Sequence, residues 1–191
     1  MLSPRCSPLI VARILVTPRS LTERDHPSVA RLCAAGHVVV LSPAGRQPTE
    51  DELAALLSDC EGYLAGVERV TARVLAAAPR LRAIARNGTG VDNIDLAAAA
   101  ARGVRVFRAE GANARGVAEL TVGFLFALAR FLPAADATLK AGRWERTRGF
   151  ELQGRTLGLL GAGRVGREVA ALASALGMRV LAYDPYPTET P

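Results

Sequence analysis

The chain has 191 residues, half of them apolar and 22% charged, which is the composition of a globular protein able to bury one large core or two small ones. Its net charge of +6 comes from 24 basic residues spread along the sequence, Lys140 being the single lysine, and no aromatic-interleaved basic cluster marks a nucleic-acid surface. Cys6, Cys33 and Cys60 are odd in number and too far apart for a metal clip, so a reduced, cytoplasmic compartment and no metal site are expected.

Residues 1–9, with two prolines and two serines, read as a loose tail. The apolar run Ile10–Val16 is interrupted by Arg13 and too short to span a membrane, and no small-residue cleavage site follows it. Short apolar runs then predict strands at Arg13–Thr17, His37–Leu41, Gly62–Val67, Leu81–Ala85 and Gly103–Phe107. Helical stretches fall between them near 22–35, 49–59, 70–78 and 94–102, and Thr49 with Glu52 forms a capping box at the start of the second. This alternation implies an α/β fold with a parallel sheet covered by helices on both faces. From Asn113 a long helix is expected, with Val117, Leu120, Phe124, Leu128 and Phe131 on one face and Pro133 interrupting it. A further helix is expected from Ala134 to Ala141, ended by Gly142, followed by an irregular lead-in over Trp144–Leu152. The domain boundary is placed near 107–113.

The most informative stretch follows. Gly161-Ala162-Gly163-Arg164-Val165-Gly166 comes directly after the apolar run Thr156–Leu160, and Asp184 lies 18 residues beyond Gly166 at the end of the run Met178–Tyr183. Strand, glycine turn, helix, strand and acid in this order form the context a dinucleotide-binding fingerprint requires. Gly161 permits the tight strand exit, Gly163 lets backbone approach a diphosphate, and Gly166 lets the helix pack on the sheet. The helix from Arg164 to Leu176 aims free N–H groups and its positive end at the phosphates, with Val165, Val169, Leu172 and Leu176 on its buried face. Asp184 suits ribose hydroxyls and repels a 2′-phosphate, which favours NAD over NADP. A glycine-rich turn that binds nothing, with Asp184 capping a loop, is the plainer alternative.

A second cluster, Ala85-Arg86-Asn87-Gly88-Thr89-Gly90-Val91-Asp92-Asn93-Ile94-Asp95, lies at the carboxyl end of a predicted strand, where ligands bind in open α/β sheets. Its glycines expose backbone N–H groups, a cradle for a carboxylate, and Asp92 is expected to cap the next helix. The loop is equally readable as a plain strand-to-helix turn.

Together these residues resemble the D-isomer-specific 2-hydroxyacid dehydrogenases, with the phosphoglycerate branch looking nearest. The likeness rests on Arg86–Asp95, on Asn113 with Val117-Ala118-Glu119-Leu120, on Gly142-Arg143-Trp144-Glu145, on Leu152–Gly166 and on Tyr183-Asp184-Pro185. It implies a flavodoxin-like parallel-sheet substrate domain over 10–107, then the first part of a Rossmann NAD-binding domain over 108–191. It further implies a homodimer built through the helix near 114–131 and a small 2-hydroxy or 2-oxo acid as substrate; the charge pattern and the short apolar run lead to the expectation of no nucleic acid or membrane partner. Arg86, Asn87, Gly88 and Thr89 would hold the acid; Gly161, Gly163, Arg164, Val165, Gly166 and Asp184 would hold NAD.

Two departures stand out. Ala109-Glu110-Gly111 replaces the Thr-Pro-Gly that the family often has, and family members continue well beyond the position of Pro191. The resemblance puts the catalytic arginine, glutamate and histidine in that later part, so the chain is expected to be a fragment holding no catalytic residue of its own, and a non-catalytic NAD-binding or partner-binding protein of the same fold is the rival reading. The only histidines, His26 and His37, are expected to be bland surface or strand-end residues, and Glu119 a helix-terminal or interdomain contact.

Overall fold

The computed structural model describes residues 11–23 and 26–186, so the expected tail over 1–9 lies outside the described residues. The chain divides into two compact units, with the division between Glu110 and Gly111.

The first unit is built on five parallel strands: β1 (Arg13–Val16), β2 (Val38–Leu41), β3 (Gly62–Ala65), β4 (Ala83–Arg86) and β5 (Arg105–Arg108), in the order β2-β1-β3-β4-β5. This is the flavodoxin-like order, and the direction of winding reverses between β1 and β3. Ile14 sits opposite Val39 on one side and Gly62 on the other, so β1 is an interior strand paired on both edges. Between the strands run α1 (Arg19–Thr22), α2 (Pro27–Ala34), α3 (Glu50–Leu57), α4 (Ala72–Ala76) and α5 (Leu96–Ala101). Leu15, Tyr63 and Ile84 from the strands pack with Leu53 and Leu57 of α3 and Val74 and Leu75 of α4 into one buried core. Each such aliphatic side chain contributes about 1.5–3 kcal/mol by leaving water.

Three local outcomes differ from expectation. The helix expected near 22–35 is two pieces, because Pro27 sets a new start at which His26 Nδ1 accepts the Ser28 N–H at 3.1 Å. The cap of α5 is Asp95, which accepts from Ala98 N at 2.9 Å, and not Asp92. Asp95 is the residue directly before the helix, the only place from which a short side chain reaches the N3 amide.

The second unit holds α6 (Ala114–Ala129), α7 (Leu132–Lys140), an irregular stretch, β6 (Thr156–Leu160), α8 (Arg164–Ala175) and β7 (Arg179–Tyr183). β6 and β7 pair in parallel, Thr156 opposite Arg179 and Leu160 opposite Tyr183. The third difference lies here: α6 ends before Pro133, at Arg130 and Phe131, the latter in a left-handed conformation with φ 53°. Pro133 instead sits in the first turn of α7, where its missing N–H costs nothing. The apolar face read from the sequence also points outward. Leu120, Phe124 and Leu128 are exposed, while Ala114, Ala118 and Ala129 are buried, so α6 packs through its alanines, whose small side chains permit close helix approach to α8. Among the described residues no single helix is long and apolar enough to cross a membrane.

The expected capping box on α3 is present. Thr49 Oγ1 accepts the Glu52 N–H at 3.3 Å, Glu52 accepts the Thr49 N–H at 2.8 Å, and Arg46 grips the same carboxylate at 2.5 and 2.6 Å. The Arg46 guanidinium first, then the Thr49 amide, hold the Glu52 carboxyl down at about 2 from an ordinary 4.5. Because the folded value is depressed, this contribution to stability is complete above the unfolded value and disappears as pH falls from there toward about 2. Thr49→Ala is expected to lower unfolding stability by about 1 kcal/mol in urea titration. Glu52→Gln is expected to shrink the loss of stability between neutral pH and pH about 2.

Candidate functional site

The first candidate cluster lies in the second unit, where β6 hands over to α8. Gly161 has φ 102°, which only glycine adopts without strain, and its N–H donates to the Tyr183 carbonyl at 2.7 Å, closing the β6–β7 ladder. A Cβ on Gly166 would stand 2.2 Å from the Gly161 carbonyl oxygen, so the helix can approach the strand this closely only without a side chain there. Gly163 is the N-cap of α8 and offers no side-chain cap, and a Cβ on it would meet nothing within 4 Å. The start of this 12-residue helix thus has no side-chain cap, and the space beside Gly163 is open.

Asp184 closes this turn from the end of β7. Its Oδ2 accepts the Ala162 N–H at 2.7 Å and its Oδ1 the Tyr186 N–H at 2.8 Å. The Tyr186 amide first, then the Ala162 amide, hold the carboxyl below its ordinary range. Each oxygen keeps a further lone pair for a hydroxyl donor. Arg164, at the first position of α8, lays its side chain along Gly111, where a Cβ would come 3.0 Å from Arg164 Cδ. Val165 is half-buried beside it. All six residues singled out from the sequence in this stretch thus gather at one turn.

The second cluster is at the carboxyl edge of the first unit's sheet. Arg86 ends β4, and the Asn87 N–H donates to the Ala65 carbonyl at 2.9 Å. The Gly88 N–H is taken up by the Arg86 carbonyl at 2.8 Å in a tight turn with φ 151° at Gly88. Arg86 Nη1 donates to the Asn87 carbonyl and lies over Gly88, while Thr89 Oγ1 donates to the Ala109 carbonyl at 3.1 Å. Arg86 and Asn87 line a cavity of about 230 Å³ with Thr17 and Pro18 after β1 and Gly66 after β3. It opens where the strand order reverses, the place at which α/β sheets bind ligands.

Sequence reasoning passed over the most buried charge at this cavity. Glu68, 4% exposed, lines it, and its Oε1 draws the hydroxyls of Thr17 and Tyr63 and the Gly66 N–H, the last at 2.8 Å. Burial first, then the Glu68 carboxylate, push the Tyr63 hydroxyl above its ordinary range. Asn93 Nδ2 donates to the Glu68 carbonyl at 2.7 Å, tying this loop to the one after β4. The available signal was a lone acid directly after the apolar run Gly62–Val67, at the carboxyl end of a strand.

His26 and His37 each accept a backbone N–H. One caps α2, and the other, just before β2, accepts the Ala12 N–H at 3.3 Å. Glu119 pairs with Arg115 at 2.7 Å, and Arg115 also reaches Glu168 of α8 at 3.3 Å. Among the described residues no three His, Cys, Asp or Glu side chains converge on a metal position. Gly166→Ala must push the helix off the Gly161 carbonyl, so a loss of about 1–3 kcal/mol is expected, read as a lower thermal midpoint.

The description of the D-isomer specific 2-hydroxyacid dehydrogenase catalytic domain matches residues 15–186. D-3-phosphoglycerate dehydrogenase of Rattus norvegicus is 49% identical over 140 residues, 72% of this chain but 26% of that protein. Hydroxypyruvate reductase of Thermotoga maritima is 42% identical over 144 residues, 74% of this chain and 47% of the relative. The crystal structure of NAD+-bound 3-phosphoglycerate dehydrogenase from Entamoeba histolytica superposes with a TM-score of 0.75 at 26% identity, over 94% of this chain and 56% of that one. The chain therefore spans about a quarter to a half of the length of these relatives. With strand order, glycine turn and match in agreement, the chain belongs to the D-isomer specific 2-hydroxyacid dehydrogenase family.

Proposed function

We propose that the chain carries the substrate-holding unit and the opening of the nucleotide-holding unit of an NAD-dependent enzyme that interconverts a D-2-hydroxy acid and its 2-oxo acid. The observation that carries this reading is the hydrogen bond from the Ala162 N–H to Asp184 at 2.7 Å, because it sets an acid against the glycine turn that opens a helix with no side-chain cap. The open space around Gly163 fits a diphosphate, which the first amides of α8 would bind through their N–H groups and the helix dipole. Arg164 and Val165 would lie over it. Asp184 would accept from ribose hydroxyls, and its charge would oppose a 2′-phosphate. The name of the Entamoeba relative, an NAD+-bound enzyme, supports the same cofactor.

In the first unit Arg86, Asn87, Gly88 and Thr89 would hold the carboxylate of the acid. For Gly88 this requires its N–H to leave the Arg86 carbonyl, to which it is now bonded at 2.8 Å. The bound nicotinamide supplies or takes up the hydride, and the protein's part is to place the acid and exclude water. The carbonyl also needs a proton donor. Both histidines of the chain hold backbone amides, and we assign the family's arginine, glutamate and histidine to the length of the relatives that this chain does not span. Cys33 and Cys60, both free thiols, fit a cytoplasmic setting.

We assign a homodimer to the outward face of α6 and the start of α7. Phe124, Leu128 and Phe131 line an apolar cavity of about 520 Å³ there, and Leu128 is 70% exposed. Exposed apolar patches of this kind mark protein–protein contact sites.

Calorimetry is expected to show NADH binding, NADPH at least about tenfold weaker, and that gap narrowed by Asp184→Asn. Gly163→Ala, which meets no neighbour, is expected to keep the melting temperature and lose the cofactor. No heat with either coenzyme on a folded sample would overturn the reading. Light scattering is expected to give twice the chain mass, and Phe124→Glu the single mass.

A further inference from the structure

In the sequence nothing beside Asp184 is a cation: Tyr183 precedes it, and Pro185 and Tyr186 follow. The helix supplies one. Arg167, at the start of α8, turns back to the glycine turn, where its Nη1 donates to the Ala162 carbonyl at 3.3 Å. The N–H of the same alanine donates to Asp184 Oδ2 at 2.7 Å, so Ala162 joins a guanidinium on one side to a carboxylate on the other. Behind the Tyr186 and Ala162 amides, the Arg167 charge also acts to hold the Asp184 carboxyl below its ordinary range. Arg164, the other cation at this end of the helix, has its side chain along Gly111.

We infer that Arg167 is a second specificity residue of the coenzyme site: standing across Ala162 from Asp184, it offsets part of the repulsion between that carboxylate and a 2′-phosphate, so that the chain takes NADPH weakly and does not refuse it. The inference rests on the NAD reading above. It needs no direct bond from Arg167 to the phosphate. Charges act over about 8 Å in physiological salt, and a cation whose charge reaches Asp184 also reaches an anion lying against Asp184. A 2′-phosphate brings close to two negative charges to that place, and an unphosphorylated ribose brings none. The diphosphate is common to both coenzymes, so its share of the attraction cancels in their ratio. Arg167 therefore separates the coenzymes in the sense opposite to Asp184. It is exposed, and solvent screening keeps the effect to a few-fold.

The test is calorimetry of the whole chain with NADH and with NADPH, at low and at high salt, on the unmodified protein and on Arg167→Gln and Arg167→Lys. Glutamine keeps an N–H donor for the Ala162 carbonyl and removes the charge, and lysine keeps the charge. Both changes fall on an exposed position and are expected to keep the melting temperature. Arg167→Gln is expected to weaken NADPH about fivefold relative to NADH, while Arg167→Lys leaves the ratio within about twofold of the unmodified chain. With the cation gone only the Asp184 repulsion is left to screen, so the gap in the Gln variant is expected to narrow as salt is raised. A ratio that Arg167→Gln leaves unchanged, or that both variants shift alike, would overturn the inference and leave Arg167 as a tie within the turn. NADH binding with no detectable NADPH binding to the unmodified chain would overturn it too, and the coenzyme reading would stand. No heat with either coenzyme would overturn both.

Discussion

Parallel pairing is the constraint from which the rest follows. When neighbouring strands run the same way, all their carboxyl ends fall on one edge, and the loops leaving that edge are forced together. In the first unit this gathers Thr17, Gly66, Glu68, Arg86 and Asn87, residues far apart in sequence, around one cavity. In the second it brings Asp184 to the glycine turn, because β6 and β7 end opposite one another at Leu160 and Tyr183. Neither arrangement requires any specific long-range side-chain contact. The ladder alone delivers it.

Within that frame, the polar groups sort by how much water they have lost. Exposed pairs such as Arg73 with Glu50 and Lys140 with Asp136 contribute little, because solvent screens them. Glu68 is different, being out of water and held by hydroxyls and an amide with no cation among its partners. A buried acid of that kind is costly to keep and is a feature of sites more than of cores. Its neighbour Asn93 binds the Glu68 backbone, so the loops after β3 and β4 hold one another in position.

The second unit is thinly covered by comparison. Its buried cluster is Ala129, Leu152, Ala173 and Met178, while Leu160 is 93% exposed and Leu181 and Tyr183 stand open on the two-stranded sheet. Two strands rarely support themselves, and this pair relies on α6 and α8 for its packing. The glycine turn is nevertheless well formed, since its geometry depends on the contact of Gly166 with Gly161 and on the ladder bond from Gly161 to Tyr183.

What could be known from the chain alone was whatever depends on near neighbours. Strand positions in the first unit, the Thr49–Glu52 box, and the turn from Gly161 to Gly166 are set by residues a few places apart, and each was legible as a pattern. What depends on packing was not. The apolar stripe of α6 is a true periodicity, yet alanines form its packed side, because only the partner helix decides which face is close enough to be covered. Asp92 and Asp95 are the same residue type in the same loop, and backbone geometry chose the second. Gly88 looked like an amide donor until the turn spent its N–H on Arg86. Glu68 shows the division most clearly: its identity is local, but its burial and its unmatched oxygen arise from Thr17 and Tyr63, brought beside it only by the pairing of β1 with β3.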